Sequence, residues 1–249
     1  MTVVLVHGNP ETTAIWDEMR TAMGRNDVVA LSPPGFGAPV PKGFGATSDD
    51  YAAWLIDEIE KLPAPIDLVG HDWGGGHVMR VAMERPDLIR SWCIDIAGCF
   101  DPEYVWHDAA QAWQTPGVGE QAVAGMAGAS LEARVAQFTS LGLGKAAEAV
   151  AAAVNEDMAR CILALYRSAA QPAMTEWGRD LPKAAARPGL VIIATEDHYT
   201  GGEVLARRSA VRAGARVAML PGLGHWWMCQ DPIAAARTLR DFFATLPAA

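Results

Sequence analysis

The sequence predicts an α/β protein in which a mostly parallel sheet of about six strands carries one helical insertion. Three observations predict it. Short, continuous apolar runs alternate with helical patterns along most of the chain. The alternation stops between about Cys99 and Ala186. A Gly-flanked turn, L-V-G-H-D-W-G-G-G at Leu68–Gly76, joins an apolar run directly to a helical pattern. With 249 residues and 51% apolar content, the chain is long enough to bury one sizeable core.

In chain order, the runs Val3–Val6, Val28–Leu31, Ile66–Val69, Ser91–Ala97, Leu190–Ala194 and Val217–Leu220 predict strands. They are continuously apolar, as strands covered on both faces are. Helical spacing predicts helices over Thr13–Met23, Asp49–Leu62, Gly75–Glu84, Glu203–Ala213 and Ile233–Leu246. Asp49-Asp50 and Asp231-Pro232 suit helix starts, with acids near the positive end and proline at the first position. Residues 99–186 are rich in Ala, Met and Trp and carry no strand signal. They read as several helices, among them Leu131–Leu141 and Ala146–Ala170, and are far longer than one crossover needs. The expected organisation is a core of residues 1–98 and 187–249 with a helical cap of residues 99–186.

The formal net charge of -9 argues against a nucleic-acid or anionic-membrane partner. No run approaches membrane-spanning length, and the opening M-T-V-V-L-V is too short for a signal peptide. A cytoplasmic protein is expected. Cys93, Cys99, Cys161 and Cys229 show no paired metal spacing and read as free thiols. Nothing calls for a metal or a cofactor.

The turn at Leu68–Gly76 has the form of a nucleophile elbow, whose centre commonly holds serine; here it holds Asp72. The following helix directs its free N–H groups at the same space. A carboxylate needs no base to become a nucleophile, since its reference pKa is about 3.9. Serine attacking a saturated carbon gives an ether, which resists water. Aspartate gives an ester, which water cleaves. Asp72 therefore suits displacement at an sp³ carbon through an alkyl-enzyme; the bland alternative is a solvent-facing helix cap. After the last strand, G-L-G-H-W-W-M presents His225, which can activate water against that ester. After the preceding strand, A-T-E-D-H presents Asp197 to orient His225, with Glu196 and Asp101 as alternatives. After the first strand, V-L-V-H-G-N-P-E places Asn9 to give one oxyanion N–H, the other coming from Trp73. His7 reads as a loop brace and His71 as a hydrogen-bonded neighbour of the elbow.

H-G-N-P at 7–10, G-H-D-W-G-G at 70–75, the acid at 197 and G-H-W at 224–226 together resemble the α/β-hydrolase superfamily. More narrowly they resemble its Asp-nucleophile branch of epoxide hydrolases and haloalkane dehalogenases. The resemblance covers the sheet and not the cap. It implies the α/β-hydrolase fold, a small apolar organic substrate, and water as co-substrate. Such proteins usually have two strands before the H-G-x-P strand. Here that strand begins at Val3, so the first two are missing, and a homodimer is one way to protect the edge.

Two substrates compete. Epoxide opening needs a proton donor, and the resemblance implies two cap tyrosines. L-Y-R places Tyr166 at the late one; the middle one has no counterpart, with Tyr104 or His107 as substitutes. A halide needs N–H donors, and the resemblance implies Trp73 and Asn9. Trp106 and Trp113 are candidates for lining the pocket. An epoxide hydrolase is the leading expectation, a haloalkane dehalogenase the alternative, and a non-catalytic binding protein of the same fold the third.

Overall fold

A computed structural model describes residues 2–247. Six strands form one parallel sheet in the order β2-β1-β3-β4-β5-β6. They are β1 (Thr2–Val6), β2 (Val28–Leu31), β3 (Ile66–Gly70), β4 (Ile89–Ile94), β5 (Gly189–Ala194) and β6 (Arg216–Leu220). Val3, Val4, Leu5 and Val6 are all fully buried, as a central strand with helices on both faces requires.

The helices are α1 (Asp17–Met23), α2 (Ser48–Glu60), α3 (Trp73–Glu84), α4 (Asp108–Gln114), α5 (Val118–Gly128), α6 (Leu131–Leu141), α7 (Ala147–Ala153), α8 (Glu156–Ser168), α9 (Ala173–Gly178), α10 (Gly202–Arg212), α11 (Trp227–Gln230) and α12 (Pro232–Ala244). Helices α4 to α9 lie between β4 and β5 with no strand among them. Among the described residues, no helix is long and apolar enough to cross a membrane, and all four cysteines are free.

Two differences from the sequence expectation have a clear physical cause. Ala146–Ala170 is not one helix. It breaks at Val154–Asn155, where the Asn155 side chain accepts from Met158 N–H at 2.8 Å and starts α8. An asparagine that caps offers the backbone a better partner than a continued helix does. The strand expected over Ser91–Ala97 begins at Ile89 and stops at Ile94, and the chain turns at Ala97–Phe100. A Cβ on Gly98 would stand 2.1 Å from the Thr200 carbonyl oxygen, so this turn closes directly on the segment after β5.

Sheet register positions the site. Val6 pairs with Leu31 on one side and Gly70 on the other, and Gly70 pairs with Ile94. The chain leaves β1 for β2 on one side and returns to β3 on the other, so strand order reverses between β1 and β3. Open α/β sheets form their binding crevice at the carboxyl ends of strands at such a reversal. Asn9 and Asp72 stand there.

Candidate active site

Asp72 has φ 49° and ψ −130°, one of the two positive-φ non-glycine residues among those described. Such a conformation costs on the order of 1–3 kcal/mol and projects the side chain out of the turn. Two glycines make the turn feasible. A Cβ on Gly70 would lie 2.4 Å from the Gly74 carbonyl oxygen, and one on Gly74 would lie 2.2 Å from that of Val6. Gly8 matters for the same reason: its Cβ would strike the Asp72 carboxylate at 2.0 Å. The β1 loop therefore presses its backbone onto the acid, and Asn9 N–H donates to Asp72 Oδ1 at 2.9 Å. The Asn9–Pro10 peptide bond is cis.

His225 stands on the other side, with Nε2 3.7 Å from Asp72 Oδ2. Its Nδ1 donates to Asp197 Oδ2 at 2.9 Å, and Tyr199 N–H donates to Asp197 Oδ1 at 2.8 Å. The Nδ1 proton leaves the Nε2 lone pair facing the nucleophile side. Glu196, by contrast, is exposed, and Asp101 accepts from Glu103 N–H and Arg208. Burial pushes the Asp72 carboxyl up to about 6, against the opposing pull of His225. Burial also works against a charge on His225, but Asp197 outweighs it and holds the imidazole above its ordinary value.

Beneath these groups lies a second set. His71 reaches Asp95 through Nδ1 at 2.5 Å and Glu11 through Nε2 at 3.0 Å, all three buried. Asp95 has no counterpart among the sequence expectations. A lone carboxylate in the apolar run S-W-C-I-D-I-A was the signal available for it. Glu11, His71 and His225 each bring one potential metal-ligand atom within 4.8 Å of the others. Both His71 nitrogens already face carboxylates, which leaves it no lone pair for a metal. His7 braces its loop through Gly8 and Ser32.

The aromatic candidates gather above Asp72. Trp73 stacks on Trp106 at 5.9 Å, and Tyr166 meets both edge-on at 5.4 and 5.5 Å. Trp113 packs on the far side of Tyr166 at 4.7 Å. Burial raises the Tyr166 hydroxyl well above its ordinary value and the Asp72 charge adds to this, while a hydrogen bond with Trp73 acts the other way. Tyr104 does not offer its proton to this space: its hydroxyl donates to the Tyr199 carbonyl at 2.8 Å. His107 Nδ1 accepts from Ala110 N–H, which leaves the proton on Nε2, and burial lowers its pKa to about 4.

A cavity of about 20 Å³ touches Asp72, Trp73 and Trp106, with Gly76, Ile96, Cys99 and Met174 completing its wall. That is room for little more than one water. The last three residues lay outside the sequence expectation, because apolar side chains in turns and short helices carry no local mark of a pocket. Trp113, Tyr104 and His107 do not line it. A cleft of about 800 Å³, bordered by His107, Leu141, Tyr199 and Trp226, reaches His225 from outside.

Residues 3–238 match the sequence model of the alpha/beta hydrolase family. Among curated proteins, a 91-residue stretch is 35% identical to haloalkane dehalogenase 2 of Mycobacterium tuberculosis, covering 35% of this chain and 32% of that protein. A 94-residue stretch is 28% identical to the (E)-2-((N-methylformamido)methylene)succinate hydrolase of Acinetobacter baylyi, covering 37% and 36%. The match thus spans about a third of each curated relative. Among solved structures, haloalkane dehalogenase DbeA from Bradyrhizobium elkani superposes with a TM-score of 0.75 at 24% identity, covering 98% of this chain and 89% of that one. Epoxide hydrolase A from Mycobacterium thermoresistibile gives 0.76 at 19% identity, covering 100% and 92%. These likenesses extend to the fold.

Proposed function

The chain belongs to the alpha/beta hydrolase family, and from that premise we propose that it hydrolyses a small apolar substrate at an sp³ carbon through an ester on Asp72. The observation that supports this most is the pair of contacts on one carboxylate. Oδ1 is held by Asn9 N–H at 2.9 Å, which leaves Oδ2, on the His225 side, free to attack. In the first step Oδ2 bonds to carbon and the bond from carbon to the leaving group breaks. In the second, water bonds to the Asp72 carboxyl carbon and gives its proton to His225 Nε2, with Asp197 balancing the charge. Negative charge collects on Oδ1, facing Asn9 N–H and the first N–H of α3 at Trp73. The ester C–O bond then breaks and the product alcohol takes the proton from His225.

The substrate class we propose is an epoxide, hydrolysed to a vicinal diol. Ring opening produces an alkoxide that needs a proton. Tyr166 is 2% exposed and its raised pKa keeps it protonated. The bond with Trp73 lowers that pKa, the effect of an indole N–H donating to the phenol oxygen, and so leaves the phenol proton available. Residues 99–186 serve in this reading as the cap that shuts the site from water. A second reading, a haloalkane dehalogenase, draws on a different observation. Asn9 Nδ2 and Trp106 Nε1 are buried donors with no partner, which suits them to solvate a departing halide along with Trp73. Trp113, Tyr104 and His107 would then shape the approach rather than the reacting centre.

The test combines a substrate panel with trapping. Small epoxides and 1-haloalkanes are assayed for diol formation and for halide and acid release. The epoxide reading expects diol; halide release in its place gives the second reading. His225→Ala is expected to accumulate an Asp72 adduct by peptide mass. If no adduct forms with any panel member, the ester mechanism fails.

A further inference from the structure

We propose that Glu11, His71 and Asp95 form a buried, ionised brace that positions the nucleophile, the loop beside it and His225 relative to one another, and that Glu11 serves chiefly the hydrolysis step. The effect on hydrolysis rests on the Asp72 ester proposed above. The ionisation of the brace does not.

Hydrogen-bond polarity carries the argument. Glu11 accepts from Gly8 N–H at 2.9 Å on Oε2 and from the Trp226 indole at 2.5 Å on Oε1. Asp95 accepts from Asp72 N–H at 3.1 Å on Oδ1 and from the Trp227 indole at 2.7 Å on Oδ2. Backbone and indole N–H groups are donors only. Each of the four carboxylate oxygens therefore already faces a donor that cannot reverse. Four fixed donors on four oxygens favour the ionised form of both acids. His71 sits between Glu11 Oε1 and Asp95 Oδ2, and with both acids ionised it donates from both ring nitrogens as an imidazolium. Its environment agrees: burial opposes the charge, and the two carboxylates outweigh it.

The connections define what the brace does. Gly8 belongs to the loop whose next residue, Asn9, holds Asp72. Asp72 N–H is the backbone of the elbow itself. Trp226 and Trp227 directly follow His225, whose ring centroid lies 4.6 Å from that of His71. Three chain segments far apart in sequence are thus fixed to one ion cluster. Stability alone does not call for it, because apolar packing in place of a buried ion set is often neutral or stabilising. Alignment does call for it, since a misplacement of about 1 Å at a reacting centre costs on the order of 10²-fold in rate.

Glu11 ties the β1 loop to the His225 loop through Gly8 and Trp226, and Asp95 ties the elbow backbone to that same loop through Trp227. Glu11→Gln keeps the shape and removes the charge. In single-turnover experiments with styrene oxide, this variant is expected to alkylate Asp72 within about threefold of the parent rate and to hydrolyse the ester about 10²-fold more slowly. A merely structural role would lower the fraction of active enzyme and leave both rate constants unchanged. Equal loss in the two steps, or no loss in hydrolysis, overturns the positioning role. An independent measurement uses the intact parent. Nitrogen-15 NMR is expected to show two His71 ring N–H protons at a pH well above the ordinary histidine value of about 6.5, where a free imidazole is neutral. A neutral His71 at that pH overturns the brace whichever substrate reacts. Failure of the parent to alkylate with styrene oxide or 1-bromobutane counts against the ester mechanism, and the NMR result still decides the brace.

Discussion

Asp72, His225 and Asp197 were readable because each follows an apolar run at a motif that geometry constrains: glycines must flank a tight turn, and a base and acid must follow successive strands. Tyr166 is a different case. Nothing in L-Y-R alone distinguishes a proton donor from a core tyrosine, and its place beside Trp73 and Trp106 comes from packing of the insert. Its role is therefore the residue-scale claim most in need of a test. Tyr166→Phe removes one hydroxyl and keeps the ring contacts, so the fold should be retained. Epoxide turnover is expected to fall about 10²-fold or more, the usual scale for a general acid. Turnover of 1-haloalkanes, whose leaving group needs no proton, is expected to change little. Steady-state kinetics on both substrate classes checks the contrast, and equal sensitivity of the two would remove Tyr166 as the donor. Asp95 shows the limit of residue-level reading. Its hydrogen-bond partners are Asp72, Trp227 and His71, none within twenty residues of it in the chain.

At the scale of elements, six strands were legible in position because continuous apolar runs bounded by turns leave few alternatives in an α/β chain. Helix ends were less so, and the insert least. Its helices are short, Ala-rich and packed on one another, so periodicity alone runs two of them together at Asn155. The break has an identifiable cause that substitution can remove. Asn155 caps α8 through Met158 N–H, and Glu156 and Asp157 follow in its first turn. Asn155→Ala should cost about 1 kcal/mol, the ordinary price of a lost N-cap. Because α8 carries Tyr166, a loosened first turn is expected to raise KM more than it lowers kcat, read from urea melts alongside steady-state kinetics. A cavity of about 20 Å³ above Asp72 adds a second consequence. Tyr166 on α8 packs against Trp73 and Trp106, which line that cavity, so the stability of α8 bears on its shape.

For the molecule as a whole, ionisable groups buried at the carboxyl edge of the sheet set how stability responds to acid. The overall charge of -9 suggested only solubility, because composition does not reveal which carboxylates are buried. Two of them pull in opposite directions. Burial raises the Asp72 carboxyl to about 6, so the folded state binds its proton more tightly than the unfolded chain does. Falling pH relieves that cost between about 6 and 4. Glu11 is the reverse. Burial alone would raise it, but the charge and hydrogen bond of His71 prevail and hold it at about 2, against an ordinary 4.5. Its contribution is complete above the ordinary value and is lost as pH falls through the folded one. By linkage a depression of this kind contributes on the order of a few kcal/mol. The neutral, wholly or partly buried His7, His77 and His107 outweigh the Asp72 gain, because the unfolded chain takes up their protons near 6.5 and the fold resists them down to about 4, so the parent is expected to lose stability as pH falls below about 6.5 and more steeply below about 4.5. Glu11→Gln carries no carboxyl at that position, so its decline over the acid range should be shallower by a comparable amount. Urea unfolding of both proteins at several pH values from about 7 to 2.5 measures the gap directly. If the gap stays constant across that range, Glu11 is not held ionised by the fold, and the ion cluster loses the energetic basis for fixing three loops at one point.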